Sequence, residues 1–300
     1  MLGGLSANAR GIVAMCLAQA TFALNDMFVK LATGELSVPQ VLFWRGVFVV
    51  GSLAVALVVL GQLGGLRRAM EPRVVLRAAI EVTVAISFIS ALAHMPIGDI
   101  TALFMTLPLL ITAAAALLLK ESVGWRRWSA IAVGFAGALL IVRPTAASVD
   151  VWVWVALFSV VGAAVRDLMT RGIDPAISSL VVSCATAVAV FVTGGVLTLA
   201  GGASLAPPGT TTLLWLAAAG VFVAIGNFFV IVAFRGGDVS VISPFRYTVI
   251  LWALMTGYGV WGDVPDRFAI LGTLMIVGAG LYTIHRERVR ARDAAVKTAG

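Results

Sequence analysis

Long apolar segments are the feature that most restricts what this chain can fold into. A membrane-spanning helix needs about 20 mostly apolar residues, and only a helix or a closed barrel satisfies its own backbone hydrogen bonds in lipid. We therefore predict an all-α integral membrane protein with ten transmembrane helices. The ten segments are 11–31, 38–60, 74–93, 100–119, 126–142, 151–170, 177–199, 211–234, 239–260 and 268–285.

Composition agrees with this fold class and excludes several functions. Apolar residues make up 61% of the 300 residues and charged residues 12%, whereas soluble domains have about 45–50% and about 25%. The segments leave no room for a soluble nucleotide-binding domain, and the chain has no P-loop motif. Cys16 and Cys184 lie inside apolar runs, where they suit neither a disulfide framework nor a metal site. We predict no cofactor, no metal and no catalytic residues.

The positions of lysine and arginine predict the orientation. With the N-terminus in the cytoplasm, 16 of them fall on the cytoplasmic side and three on the other, as the positive-inside rule requires. Both termini are then cytoplasmic, and the basic tail 286–300 is expected to contact anionic lipid. The net charge of +7 reflects this distribution along the loops, so we predict membrane lipid and no nucleic acid as a partner.

An internal repeat divides the chain into two parts. Asp26 and Lys30 recur as Asp167 and Arg171, both at a shift of 141 residues. We predict repeats at 1–145 and 146–285, each with five helices. Because five is odd, the second repeat is inverted, which is typical of secondary transporters with alternating access to a central cavity. A cleaved signal peptide with AQA at 18–20 is the alternative for the first helix.

Motifs in the first repeat resemble a known family. NDMFVK at 25–30 followed by SVPQVLFWRG at 37–46 resembles the start of the EamA-type branch of the drug/metabolite transporter superfamily. LLLKES at 117–122 and GFAGALLIV at 134–142 resemble the close of its repeat. Within that family the chain is most similar to the aromatic amino-acid exporters.

The resemblance implies several expectations. The fold has ten helices, with helices five and ten at the periphery and a central cavity lined by helices one to four and six to nine. The protein exports metabolites across the bacterial inner membrane. The second repeat departs from the family pattern, because Tyr247 stands near the position equivalent to Pro108 and Pro244 lies three residues earlier. The position of a kink in the ninth helix therefore remains open.

Charged residues inside predicted helices are candidate substrate ligands, because a charge at the bilayer centre costs about 2.5–3.5 kcal/mol or more. Arg45 could bind a substrate carboxylate, and its alternatives are a pair with Asp26 or a snorkelling side chain. Glu81 could bind an ammonium group or carry a coupling proton, and the alternative is a salt bridge. Arg246 has no charged counterpart in the first repeat and could set specificity, unless it pairs with Asp238.

Other candidates are polar, aromatic or helix-breaking residues. Asn227 and Ser87 could hydrogen-bond a polar ligand or join helices. Aromatic side chains could bind a flat apolar group or face lipid; these are Trp44, Phe88, Phe104 and Tyr247. Residues predicted to form the gates or to couple transport are Asn25, Asp26, Asp167, Pro108 and Pro244.

The leading hypothesis is a secondary transporter that exports small metabolites, including aromatic amino acids, across the inner membrane, with proton coupling left open. One alternative is a translocator of nucleotide sugars or lipid-linked substrates. Another is a membrane-embedded enzyme that uses His94 with Asp99 as an acid–base pair. We favour transport because an inverted repeat suits alternating access better than a single reaction centre.

Overall fold

The structure is a computed structural model, and it describes residues 7–118, 125–142, 150–170, 172–236 and 239–299. Two residues of the sequence analysis lie outside these ranges. They are Arg171, the predicted repeat equivalent of Lys30, and Asp238, the alternative partner of Arg246. The first six helices are α1 (Ala7–Thr33), α2 (Val38–Val59), α3 (Pro72–His94), α4 (Ile97–Phe104), α5 (Leu107–Leu118) and α6 (Trp125–Val142). The last six are α7 (Val151–Thr170), α8 (Ser179–Ala200), α9 (Thr210–Gly236), α10 (Val239–Ile242), α11 (Val249–Trp261) and α12 (Arg267–Ala299). Short 3₁₀ helices cover Leu63–Met70 and Ser243–Thr248.

The membrane character of the fold is confirmed. Within the described ranges, eight helices are long and apolar enough to cross a membrane, and a shorter apolar helix covers Trp128–Ile141. Large apolar side chains are exposed along these helices, among them Val59, Leu199 and Leu214. Such surfaces require an apolar environment. The predicted total of ten spans remains a prediction.

Two predicted helices are interrupted, and proline accounts for the position of each break. The segment predicted at 100–119 consists of α4 and α5, with Pro108 in the first turn of α5. A proline ring clashes with the carbonyl four residues earlier, and α4 ends at that residue, Phe104. The segment predicted at 239–260 consists of α10, a 3₁₀ helix that contains Pro244, and α11.

The main helix pairs follow a regular pattern. α1 packs along α9 and α3 along α7, while α2 packs against α8 and α6 against α12. Weaker contacts join α2 to α9 and α3 to α8. This pattern is unchanged when α1–α6 are exchanged with α7–α12.

The α2–α8 contact combines a pair of stacked rings with glycines at the closest approach of the two helices. Phe43 and Phe191 stack with ring centroids 5.0 Å apart. A Cβ added to Gly46 would lie 2.8 Å from the Phe191 Cβ, and one added to Gly194 would lie 2.7 Å from the Phe43 backbone nitrogen. Both distances are below van der Waals contact, so these glycines allow the two helix backbones to approach closely.

Candidate functional site

A cavity of about 260 Å³ lies between α1, α2, α3, α4, α7 and α11. Four ionisable side chains line it: Asp26 from α1, Arg45 from α2, Glu81 from α3 and Arg166 from α7. Pockets for drug-sized ligands have volumes of about 300–1,000 Å³, so this cavity has room for a smaller molecule. We call it the central cavity.

Arg45 lines the central cavity without a hydrogen-bond or salt-bridge partner among the described residues. Among the described side chains none accepts a hydrogen bond from Arg45 or forms a salt bridge with it, and its Nε is buried without a partner. The sequence analysis left open a structural pair with Asp26, but the two charged groups are not within ion-pair distance. A guanidinium in this state retains its capacity to bind a carboxylate.

The Asp26 carboxylate accepts a hydrogen bond from the side chain of the preceding residue. The Asn25 amide nitrogen donates to Asp26 Oδ1 at 2.8 Å, and the buried Asn25 Oδ1 has no hydrogen-bond partner in the described structure. The two residues therefore offer acceptor oxygens at one wall of the central cavity. A ligand with N–H donors would satisfy them.

Arg166 joins two acidic side chains at one end of the central cavity. Its Nη1 donates to Glu81 Oε2 at 2.6 Å, and its Nε and Nη2 lie 2.8 Å from Asp167 Oδ1. Arg77 donates from Nε to Thr170 and from Nη1 to Thr186, both at 2.8 Å. These polar contacts tie α3 to α7 and α8, and we call this end of the bundle the Arg77 end.

Polar contacts also join the helices at the opposite end, which we call the Lys30 end. Lys30 donates to the Met95 carbonyl, and its ammonium lies 5.1 Å from the centroid of the Trp261 ring. The Thr212 hydroxyl donates to the Glu35 carboxylate. Contacts between helices therefore exist on both sides of the central cavity.

An aromatic pair forms the apolar part of the lining. Phe88 from α3 and Phe104 from α4 meet edge to face, with centroids 4.8 Å apart. The same wall includes Val84, Ala85 and Ile89. The central cavity thus combines charged groups with a surface suited to an apolar side chain.

The structure brings six of the predicted residues to the central cavity and places the others elsewhere. The six are Asn25, Asp26, Arg45, Glu81, Phe88 and Phe104. Asp167 contacts the cavity lining through Arg166. The remaining candidates are absent from the described lining: Trp44, Ser87, Pro108, Asn227, Pro244, Arg246 and Tyr247.

Each of these remaining side chains has another environment. Trp44 packs edge to face on Phe43, and Ser87 donates to the Thr83 carbonyl at 2.8 Å. Tyr247 is buried where a Cβ on Gly280 would collide with its ring. Pro244 lines an apolar groove beside α12. The exposed side chains are Pro108, Asn227 and Arg246.

Arg166 is the charged residue of the described cavity lining that sequence reasoning missed, and the polar Gln19 and Thr101 of this lining were missed as well. Arg166 is one of the 16 basic residues that the positive-inside rule assigns to the cytoplasmic side. A signal was present, because Arg166 lies one turn inside α7 beside Asp167. An ionisable residue within an apolar helix is a functional candidate by default.

His94 has a packing role in this structure. Its ring stacks on Trp152 with centroids 3.6 Å apart, and its Nδ1 donates to the Ser90 carbonyl at 2.8 Å. These contacts occupy one ring nitrogen and one ring face. The enzyme alternative thus gains no support from this residue.

Comparison with known proteins agrees with a transporter. The model of the EamA-like transporter family matches residues 9–143. A riboflavin transporter from Rhizobium johnstonii is 28% identical over 292 residues, which are 95% of this chain and 94% of that protein. The chain belongs to the EamA-like transporter family.

The names of other relatives state different substrates. A pseudopaline exporter from Pseudomonas aeruginosa is 27% identical and covers 90% of this chain and 94% of its own. An S-adenosylmethionine uptake transporter from Rickettsia prowazekii is 23% identical and covers 93% of both. A solved crystal structure shares the fold, with a TM-score of 0.62 and 18% identity over 92% of this chain and 96% of its own. The named relatives are small-molecule transporters, and the aromatic amino-acid exporters are not among them.

Proposed function

We propose that this protein is a secondary transporter that exports a small metabolite across the bacterial inner membrane through the central cavity. The observation that carries the proposal is the placement of Asp26, Arg45, Glu81 and Arg166 around one cavity between membrane-spanning helices. Charged groups in such positions are costly and mark substrate or ion pathways. The transporter names of the relatives support the same class of function.

Alternating access is the proposed mechanism. The exchange-symmetric pairing of α1 with α9 and of α3 with α7 supports inverted repeats at 1–145 and 146–285, followed by the basic tail 286–300. In such transporters the two repeats rock about a site near the midplane. The contacts at the Arg77 end and the Lys30 end are the proposed gates. Both termini are then cytoplasmic, with the Arg77 end facing the cytoplasm.

Amino acids, including aromatic ones, are the proposed substrates. The central cavity holds two carboxylates, two guanidinium groups and a pair of phenylalanines, so it offers contacts to each part of such a molecule. A nucleotide diphosphate would place its negative charge beside the two carboxylates. Export is the proposed direction, although relatives are named for both export and uptake.

Flux into proteoliposomes tests this function. Uptake of radiolabelled phenylalanine, tryptophan and threonine is measured with and without an imposed pH gradient, and stimulation by the gradient indicates proton coupling. We expect saturable flux with competition among these amino acids. Absence of flux from folded protein would reject amino acids as substrates and direct the same assay to nucleotide sugars.

A matched pair of variants links flux to the central cavity. Ala85 lines the cavity, whereas Ala79 is exposed on the same helix. Ala85→Trp fills the cavity and is expected to abolish flux, while Ala79→Trp retains it. Equal flux through both variants would show that substrate takes another route.

A further inference from the structure

Two charged side chains in the central cavity have no oppositely charged partner within salt-bridge distance in the described structure: Arg45 and Asp26. We infer that the protein recognises a zwitterionic α-amino acid at two points, with its carboxylate on Arg45 and its ammonium on Asp26. This inference rests on the proposed transport function and assigns its substrate-binding residues.

The carboxylate position follows from the partners of the cationic groups. Arg166 already contacts two carboxylates, those of Glu81 and Asp167. Arg77 donates to two threonine hydroxyl groups, is not part of the cavity lining and lies nearer the end of the bundle. Arg45 lines the cavity and donates to no described side chain or carbonyl. Its planar donor groups match a carboxylate bidentately.

The ammonium position follows from the acceptors. The Glu81 carboxylate is bound by Arg166 at 2.6 Å, so an incoming cation would compete with a salt bridge there. Among the described residues, Asp26 receives a hydrogen bond only from the neutral amide of Asn25. The buried Asn25 Oδ1 is a further acceptor, and no described residue donates to it. These two neighbouring residues offer the oxygens that an ammonium group with three donors requires.

The space left beside these groups suits one apolar side chain. Phe88 and Phe104 form the edge-to-face wall of the same cavity, and the whole volume is about 260 Å³. A substrate held at both charged ends would direct its side chain towards this apolar wall. Selectivity for amino acids over acids and amines would then come from Arg45 and Asp26.

Competition with matched analogues tests two-point recognition. Phenylalanine, phenylalaninamide and 3-phenylpropionate compete against radiolabelled phenylalanine in proteoliposomes of the full chain. The amide lacks the carboxylate, and the propionate lacks the ammonium. A lost hydrogen bond to a charged group weakens binding by about 10- to 100-fold, so we expect both analogues to inhibit less well by that factor.

Variants assign each end of the ligand. Arg45→Gln is expected to weaken phenylalanine until it competes no better than the amide does, while the preference over the propionate remains. Asp26→Asn is expected to remove the preference over the propionate and to keep the preference over the amide. The controls Arg126→Gln and Asp150→Asn change exposed residues outside the cavity lining, and they should retain wild-type selectivity.

The outcomes separate this inference from the transport function. Saturable phenylalanine flux that both analogues inhibit as well as phenylalanine does would overturn two-point recognition and leave the transporter intact. Absence of amino-acid flux in the wild type would instead overturn the proposed substrates. If a variant fails to fold, the wild-type analogue series alone still decides, because it requires no substitution.

Discussion

Loss of the Arg166 guanidinium should destabilise the protein strongly. In Arg166→Met the Glu81 carboxylate loses its 2.6 Å partner, and Asp167 loses both of its contacts at 2.8 Å. The Arg166 and Glu81 side chains are 19% and 23% exposed, so water replaces the salt bridge poorly. Removal of one partner from such a pair costs about 3–5 kcal/mol. We expect a value of about 3 kcal/mol, because both side chains are partly exposed.

Equilibrium unfolding in mixed micelles with increasing dodecyl sulfate measures this cost. The control is Arg68→Met, which breaks a 3.7 Å pair with Asp174 whose side chains are 51% and 52% exposed. Exposed pairs contribute about 0–1 kcal/mol, so the control should unfold close to wild type. Equal losses in both variants would refute the assignment of Arg166 as a structural link between α3 and α7.

A second variant checks the physical cause. Glu81→Gln leaves Arg166 paired with Asp167 and offers an amide oxygen in place of the carboxylate, so its cost should be about 1 kcal/mol. The double variant Glu81→Gln/Arg166→Met no longer leaves the Glu81 carboxylate unpaired. Its loss of unfolding free energy should therefore be smaller than the sum of the two single losses by about 1–2 kcal/mol. Simple additivity would show that the two side chains do not interact.

Three further predictions use the same unfolding assay or the flux assay. Gly194→Ala places a Cβ 2.7 Å from the Phe43 nitrogen and should lower stability by about 1–3 kcal/mol, whereas Gly51→Ala, with open space around it, should not. Ser159→Ala removes a fully buried hydroxyl that donates to the Val84 carbonyl at 3.0 Å and should cost about 1 kcal/mol. Phe104→Ala enlarges the central cavity and should raise flux of tryptophan relative to threonine; an unchanged ratio would argue against an aromatic wall.

Helix positions were largely predictable because hydrophobic length and turn residues act locally. The predicted segments 38–60 and 151–170 match α2 and α7 to within one residue. The two interrupted segments were predicted as single spans from their average hydropathy over about 20 residues, although the second break, SPFRYT at 243–248, is locally polar. Pro108 and Pro244 mark these breaks, but whether a proline bends a helix or ends it depends on tertiary partners.

The central cavity was predictable only in part. Arg45, Glu81 and Asp26 were found because charge inside an apolar segment is conspicuous at any rotation of the helix. For Asn227, Trp44 and Tyr247 the direction of the side chain decides between cavity, core and lipid, and neighbouring helices set that direction. Arg166 was missed because one sequence signal, a basic residue near a helix end, serves both topology and ion pairing.

The contact between α2 and α8 restricts how the bundle can move. The Phe191 side chain lies against Gly46, and the Phe43 ring lies against Gly195, so each helix carries both a projecting ring and a recess. An axial slide of one helix along the other would drive a ring into the opposing backbone. A tilt about the contact keeps both rings packed against the glycines of the opposing helix. The α2–α8 crossing therefore allows the two helices to tilt relative to each other and resists sliding along their axes.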